Sequence, residues 1–329
     1  MWKKKKMIVV TGGLGFIGSC LISKLNSYGI TRIVVVDDFS KELKEHNLVA
    51  KKILRRVDRT EFIQWLKENG KDVDFIYHIG ARTDTTEFNK AIFDELNLNY
   101  SKEVWRWASH FKIPLVYASS AATYGLGEHG YEDSHRVVEK LKPLNPYGDS
   151  KNDFDKWALK QHITPPFWAG LKFFNVYGPN EYHKDRMASV ILHAYRQINR
   201  TGKMKLFRSH NPKFRDGEQK RDFIYVMDVV KVCYFLREKH SALTSGLYNL
   251  GSGNARTFKD LVVNTFKAMN REVKIEYIDT PFDIRDTYQY YTEANMNKLI
   301  NAGFTDGFTS LEVGIKEYVQ NYLVENKYF

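Results

Sequence analysis

Short apolar runs alternate along the first half of the chain with longer segments whose apolar residues fall at helical spacing. Ile8-Val9-Val10 is too brief for a helix and is closed at once by Thr11-Gly12, which predicts a buried strand. Cys20-Leu21-Ile22 and Leu25 then repeat at helical spacing. Residues 32–37 read as a second strand and 60–68 as a helix; the mixed, basic stretch 40–54 between them predicts neither. Strands follow at 74–78 and 114–119, separated by a long helix over 89–111. A loop over 128–145 leads to a helix beginning at Pro146, whose fixed φ suits a first helical turn, and then to a strand at 169–174. Strands alternating with helices require right-handed crossovers, so the expected fold is α/β, a doubly wound parallel sheet of Rossmann type.

From Asn175 onward the pattern changes. Loops lengthen, helices lose their regular spacing, and aromatic and basic residues cluster. The expected organisation is a dinucleotide-binding domain over 1–175, to which 222–251 returns, and a smaller α/β substrate-binding region made mainly of 176–221 and 252–329.

The 329 residues are 43% hydrophobic, enough to bury one large core or two moderate ones. Cys20 and Cys233 lie in helical apolar patterns and are expected to be buried, reduced thiols. No apolar run is long enough to span a membrane. The start, Met1-Trp2-Lys3-Lys4-Lys5-Lys6, has the charge of a secretion leader without its apolar core, so a cytoplasmic protein with no membrane partner is expected. The formal net charge is +11, but the basic residues are scattered rather than gathered on one element. That argues against nucleic acid as a partner. A diphosphate substrate accounts for local basic sites equally well. No metal is expected.

Gly12-Gly13-Leu14-Gly15-Phe16-Ile17-Gly18 sits between the first strand and the first helix, the order of a dinucleotide fingerprint. Gly12 permits the tight turn, Gly15 lets backbone approach a pyrophosphate, and Gly18 lets the helix pack on the strand. The helix N-terminus offers free N–H groups to the anion. Asp37 closes the second strand about 20 residues further on, where a ribose-binding acid belongs.

The catalytic signal is Tyr147-Gly148-Asp149-Ser150-Lys151. In a helix, Tyr147 and Lys151 stand on one face, one turn apart. A free tyrosine is a poor base at neutral pH, and a neighbouring ammonium stabilises its phenolate. Tyr147 can then move the proton of a substrate hydroxyl while hydride passes to or from a cofactor. Ser120, at the carboxyl end of the preceding strand, is placed to share that proton.

These marks, with His78-Ile79-Gly80-Ala81, Asn97, Ala118-Ser119-Ser120 and Arg221-Asp222-Phe223-Ile224-Tyr225-Val226, resemble the extended short-chain dehydrogenase/reductase family nearly end to end. The resemblance implies an NAD(P) cofactor and a nucleotide-sugar substrate. Dehydratases of that family carry an Asp-Glu pair after the active-site hydroxyl. Here Ser120 leads into Ala121-Ala122-Thr123-Tyr124-Gly125, so epimerisation is the expected reaction.

Tyr117–Gly125 (YASSAATYG), Phe174–Lys184 (FNVYGPNEYHK), Met187–Val190 (MASV) and Lys220–Val226 (KRDFIYV) resemble the branch that inverts C6″ of ADP-D-glycero-D-manno-heptose for lipopolysaccharide core synthesis. By that resemblance Lys184 is a second acid/base facing Tyr147. Asn175, Arg186, His193, Arg221, Tyr288 and the loop Phe207-Arg208-Ser209-His210 contact the ADP-heptose. The resemblance implies that the cofactor is held by the glycine turn, Asp37, Asp38, Ile79-Gly80-Ala81, Asn97, Lys151 and Val176. Asp37 alone favours NAD; the family's use of basic neighbours, here Lys44, Arg59 and Arg82, favours NADP, the expected cofactor. A homo-oligomer is implied, pentameric in enterobacterial members. Two departures stand out: Asp185-Arg186 replaces Gly-Ser, and the stretch from Phe207 to Arg221 is longer. Rival readings are a UDP-hexose 4-epimerase and a non-catalytic NADP-sensing protein.

Overall fold

The computed structural model describes residues 6–282, 285 and 288–329; the basic start Met1–Lys5 lies outside them. In order, β1 (Met7–Thr11), α1 (Phe16–Ser27), β2 (Ile33–Asp37), β3 (Arg55–Asp58), α2 (Phe62–Asn69) and β4 (Val73–His78) form the first half of the main layer. Helix α3 runs continuously over 90–110, α-helical at Lys90–Phe93 and Tyr100–His110 with a π-helical stretch, Asp94–Asn99, between. β5 (Leu115–Ser120), α4 (Pro146–Leu159) and β6 (Trp168–Phe173) follow. The remainder comprises β7 (Asn175–Tyr177), α5 (Val190–Thr201), β8 (Met204–Phe207), β9 (Lys220–Tyr225), α6 (Val226–Lys239), β10 (Gly246–Leu250), β11 (Ala255–Thr257), α7 (Phe258–Ala268), β12 (Ile275–Ile278), α8 (Asn297–Asn301) and α9 (Leu311–Tyr318).

Seven strands pair in parallel in the order β10-β6-β5-β4-β1-β2-β3. The order reverses between β1 and β4, and ligands of such sheets bind at the carboxyl ends on either side of that point. Alternation along each strand feeds two cores. Val10, Val35, Phe75, Tyr77 and Val116 face one, with α1 and α6; Val9, Val34, Ile76, Leu115 and Tyr117 face the other, with α2, α3 and α4. Cys20 and Cys233 are free, buried thiols in the first core.

Two elements depart from the expectation. The stretch 40–54 contains a short 3-10 helix, Glu42–Leu48, and β3 follows it as the sheet's edge. In β3 Arg55 and Arg56 are exposed and only Val57 is buried, so the strand has no apolar pattern to read. The three-stranded sheet β11-β9-β7 and the pair β12-β8 stand apart from the main sheet, while β10 is its other edge.

Helix α4 starts where Pro146 occupies the first turn and the Asn145 side chain accepts the N–H of Gly148 at 2.8 Å. Trp105 on α3 packs its ring 6.2 Å from Phe154 of α4 and 5.1 Å from Trp168 of β6, which joins helix to sheet. A Cβ on Gly148 would stand 3.0 Å from the carbonyl oxygen of Ala122, so α4 abuts the chain leaving β5.

Candidate active site

The chain leaving β1 turns at Gly12, with φ +69°. A Cβ there would stand 2.5 Å from the Cα of Gly80, so the backbones following β1 and β4 touch. Gly15 is the N-cap of α1 and brings no capping side chain of its own. The helix therefore presents bare N–H groups on a glycine surface at the switch point. That cradle, which a side chain would fill, fits a pyrophosphate.

Asp37 closes β2 with its carboxylate buried. It accepts the N–H groups of Leu14 at 2.9 Å and Asp38 at 2.8 Å, and Lys44 Nζ lies 3.1 Å away. Arg59 approaches Asp38 at 3.6 Å. Asp38 is held below the usual carboxylate range, mainly by the hydroxyl of Ser40, with Arg59 adding a smaller part. Each of the two acids at the end of β2 thus has its own cation.

Beneath the cradle, His78 bridges Thr11 Oγ1 at 2.8 Å and Ser101 Oγ at 2.9 Å. Burial, helped by the charge of Lys151, pushes its imidazole down to about 3, so it is neutral. Thr11 Oγ1 also accepts the N–H of Gly80. Asn97, turned inward by the π stretch, accepts the N–H of Arg82 at 2.8 Å and donates to its carbonyl and to Ser150 Oγ, each at 3.0 Å. Its side chain thereby fixes the end of the loop Ile79-Gly80-Ala81-Arg82 against α4.

Ser120, Tyr147 and Lys151 come together at the end of β5. Burial raises the phenol of half-buried Tyr147, and a hydrogen bond with the Ser120 side chain pulls it back down. Lys151 is buried, donates from Nζ to the carbonyl of Ala118 at 2.7 Å, and is pushed down to about 8 by burial against the opposing pull of Asp155. Both side chains thus reach the end of β5 from α4.

Lys184 lies in a short 3-10 turn, Tyr182–Met187, with its ammonium 5.4 Å from the centre of the Phe16 ring at the start of α1. Burial lowers it, and the charge of Glu181 works the other way. Glu181 is wholly buried and accepts Ser189 N–H at 2.5 Å and Ser189 Oγ at 2.6 Å, which ties the turn to α5. Asn47 donates to Leu14 and Asn180 carbonyls and bonds His183, linking the same loop to the glycine turn. Arg186 points elsewhere: it is exposed and pairs with Asp84 at 3.1 Å, while Arg82 reaches Asp84 at 3.4 Å.

Arg221, on β9, is buried with its guanidinium 5.5 Å from the centres of both the Phe258 and Tyr288 rings. Among the described residues it forms no ion pair. Tyr288 is half-buried and packs edge-on against Phe207 and Tyr290, outside any regular strand. Asn175 is exposed on β7 beside half-buried Val176. His193 bonds the carbonyl of Arg186 at 3.3 Å. Arg208 is exposed and paired with Asp279, and His210 N–H donates to Tyr290 Oη at 3.1 Å. Ser209 donates its N–H to Asp216, inside the longer stretch that precedes β9. The structure also brings up two residues that carried no mark in the sequence, Asp155 and Lys172. A lysine inside the apolar run Ala169-Gly170-Leu171-Lys172-Phe173-Phe174 was the available sign.

The sheet order, the glycine cradle and the Ser120–Tyr147–Lys151 grouping mark a Rossmann protein built for a nicotinamide dinucleotide. Residues 8–251 match the model of the NAD dependent epimerase/dehydratase family, and the chain belongs to that family. It is 46% identical to the ADP-L-glycero-D-manno-heptose-6-epimerase of Fusobacterium nucleatum, over 97% of this chain and 98% of that one. It is 47% identical to the protein of the same name from Nitratidesulfovibrio vulgaris, over 96% and 98%. The crystal structure of the Helicobacter pylori ADP-L-glycero-D-manno-heptose-6-epimerase superposes with a TM-score of 0.79 at 28% identity, over 97% and 96% of the two chains. Among the described residues, no helix is long and apolar enough to cross a membrane, and no group of three or more metal-ligating side chains forms.

Proposed function

We propose that this protein is a nucleotide-sugar epimerase that inverts C6″ of ADP-D-glycero-D-manno-heptose to the L-glycero form. The observation that carries this is the Tyr147–Lys151 pair beside Ser120, together with a second partly buried lysine, Lys184, over the first residue of α1. The Fusobacterium nucleatum and Nitratidesulfovibrio vulgaris ADP-L-glycero-D-manno-heptose-6-epimerases, at 46% and 47% identity over nearly the whole chain, support the substrate.

A nicotinamide dinucleotide held by the glycine turn, Asp37 and Lys151 would supply the reversible hydride chemistry that inversion at C6″ needs. Tyr147 takes the hydroxyl proton on one side, with the Lys151 ammonium stabilising its phenolate and Ser120 steering the proton. Lys184, whose pKa burial lowers, is fitted to exchange the proton from the opposite side. Arg221 is a buried cation between two rings and takes the diphosphate bidentately. Arg186 contributes at most after leaving Asp84.

The cofactor we assign is NADP. Asp37 and Asp38 are each compensated, by Lys44 and Arg59, so a 2′-phosphate meets a neutralised pair rather than two bare carboxylates. Residues 1–175 and 222–251 hold the dinucleotide, and 176–221 with 252–329 hold the sugar. A homo-oligomer in the cytoplasm, feeding heptose to lipopolysaccharide core synthesis, belongs to the same reading.

The test is to incubate purified protein with ADP-D-glycero-D-manno-heptose without added cofactor, follow the L-glycero epimer by chromatography, and identify the dinucleotide released on denaturation by mass. Conversion with NADP released is expected. No conversion even with NADP⁺ or NAD⁺ supplied defeats the substrate assignment; release of NAD defeats the cofactor assignment alone.

A further inference from the structure

Behind the reacting end of β5 lies an ion pair with no exposure to solvent. Lys172 on β6 and Asp155 on α4 are both fully buried, with Nζ 2.8 Å from Oδ2. Asp155 stands one helical turn beyond Lys151 on the same helix. It also accepts the hydroxyls of Tyr117 at 2.9 Å and Ser119 at 2.7 Å. Lys172 donates further to Thr123 Oγ1 at 2.7 Å, and Thr123 Oγ1 donates to the carbonyl of Ser120 at 2.8 Å. Lys151 completes the set by donating to the carbonyl of Ala118. Four consecutive residues of β5 are thereby tied to α4 or to the pair: Tyr117 and Ser119 by side chains, Ala118 and Ser120 by carbonyls.

Filling this space does not call for charge. A buried ion pair loses hydration on both sides, and well-packed apolar residues of like volume often serve stability as well or better. An apolar pair lacks direction, however. The carboxylate and ammonium fix where each hydroxyl of the strand end must sit relative to the helix. We propose that Asp155 and Lys172 are positioning residues that hold Ser120 in register with the Tyr147–Lys151 face of α4. The proposal rests on the reading of Ser120, Tyr147 and Lys151 given above, and extends it to a pair that touches neither substrate nor cofactor.

The test is the double variant Asp155→Leu/Lys172→Met, which removes both charges and keeps the bulk. Thermal unfolding and dinucleotide content should stay near those of the parent. KM for ADP-D-glycero-D-manno-heptose should stay within about threefold while kcat falls about 10- to 100-fold, the cost of a misplacement of about 1 Å. Lys172→Arg, which keeps the charge, should retain most of kcat. A folded double variant with kcat within about twofold of the parent overturns the proposal. Should that variant not fold, Asp155→Asn decides. Its kcat should fall, and the alkaline limb of its pH profile should move to lower pH because Lys151 loses the carboxylate that favours its charged form. If neither changes, the proposal fails. Tyr147→Phe measured alongside separates the two claims: an active Tyr147→Phe enzyme removes the underlying site reading, whereas an inactive one beside a fully active double variant removes only the positioning pair.

Discussion

Lys151 donates to the carbonyl oxygen of Ala118 at 2.7 Å, which plants a buried ammonium two residues before Ser120 on β5. Burial lowers that lysine from 10.5 to about 8. The unfolded chain therefore binds more protons than the folded one between those values, and the cost of burying the charge is full below pH 8 and relieved as pH rises towards 10.5. Activity and stability should part ways there. We expect kcat to fall above about pH 8, as the ammonium that supports Tyr147 is lost. Over the same window the unfolding free energy of the parent should gain on that of Lys151→Met by about 3 kcal/mol. Chemical unfolding of the two proteins at a series of pH values checks this; a pH-independent difference would show that the lysine is not depressed.

Tyr147 is held between burial, which raises its phenol, and the Ser120 hydroxyl, which lowers it. Removing the phenolic oxygen while keeping the ring preserves the edge-on contact with Phe93 at 6.4 Å. Tyr147→Phe should therefore keep the fold and the dinucleotide, yet lose about 100- to 10,000-fold in kcat, the usual range for a positioned acid/base. Ser120→Ala should lose less, because the proton's acceptor remains. Normal turnover by Tyr147→Phe would take the tyrosine out of the chemistry.

Lys184 lies above Phe16, and burial depresses its charge. Lys184→Met keeps the aliphatic stem over the ring and removes the ammonium. If the lysine exchanges a proton with substrate, kcat should drop by about 100-fold or more with KM little changed. A rise in KM at unchanged kcat would make it a binding residue only.

Much of this was readable in the chain because it depends on local geometry. The glycine turn reflects what backbone can do at Gly12 and Gly18, and Tyr147 and Lys151 meet because four residues make one helical turn. Strand β3 was not readable: Arg55 and Arg56 are exposed, and one buried valine makes no pattern. Long-range pairings were equally silent. Arg186 finds Asp84 across 102 residues, so a position read as a substrate contact is occupied by an ion pair. Asp155 and Lys172 become partners only once α4 lies on β6. A lysine inside an apolar run marks Lys172 as unusual, but nothing in the sequence names Asp155 as its partner.

Gly12 tests the cofactor cradle by shape alone. Its φ is +69°, and a Cβ would stand 2.5 Å from the Cα of Gly80, where only backbone movement can relieve the clash. Gly12→Ala should release the dinucleotide and lower the melting temperature by several degrees, corresponding to about 1 kcal/mol or more. A variant that still copurifies with a full complement of dinucleotide would mean that the two loops are free to separate without loss.

The acid limit of stability should depend on His78. Its imidazole is neutral, bridges Thr11 and Ser101, and is pushed from 6.5 down to about 3, first by burial and then by the nearby Lys151 charge. The unfolded chain accordingly takes up a proton that the folded one refuses between about pH 3 and 6.5. Stability from this residue is complete above that window and is lost as pH falls through it. Near the middle of the window His78 alone should steepen the fall by about 1.4 kcal/mol per pH unit. His183, pushed down to about 4 mainly by burial, adds a smaller contribution of the same sign. His78→Gln removes the titrating group at the cost of the two bridging bonds, so it should be less stable than the parent at neutral pH and lose less on acidification. Equal slopes of unfolding free energy for variant and parent between pH 4 and 6 would mean that His78 protonates readily in the folded protein and is not sealed beneath the cradle.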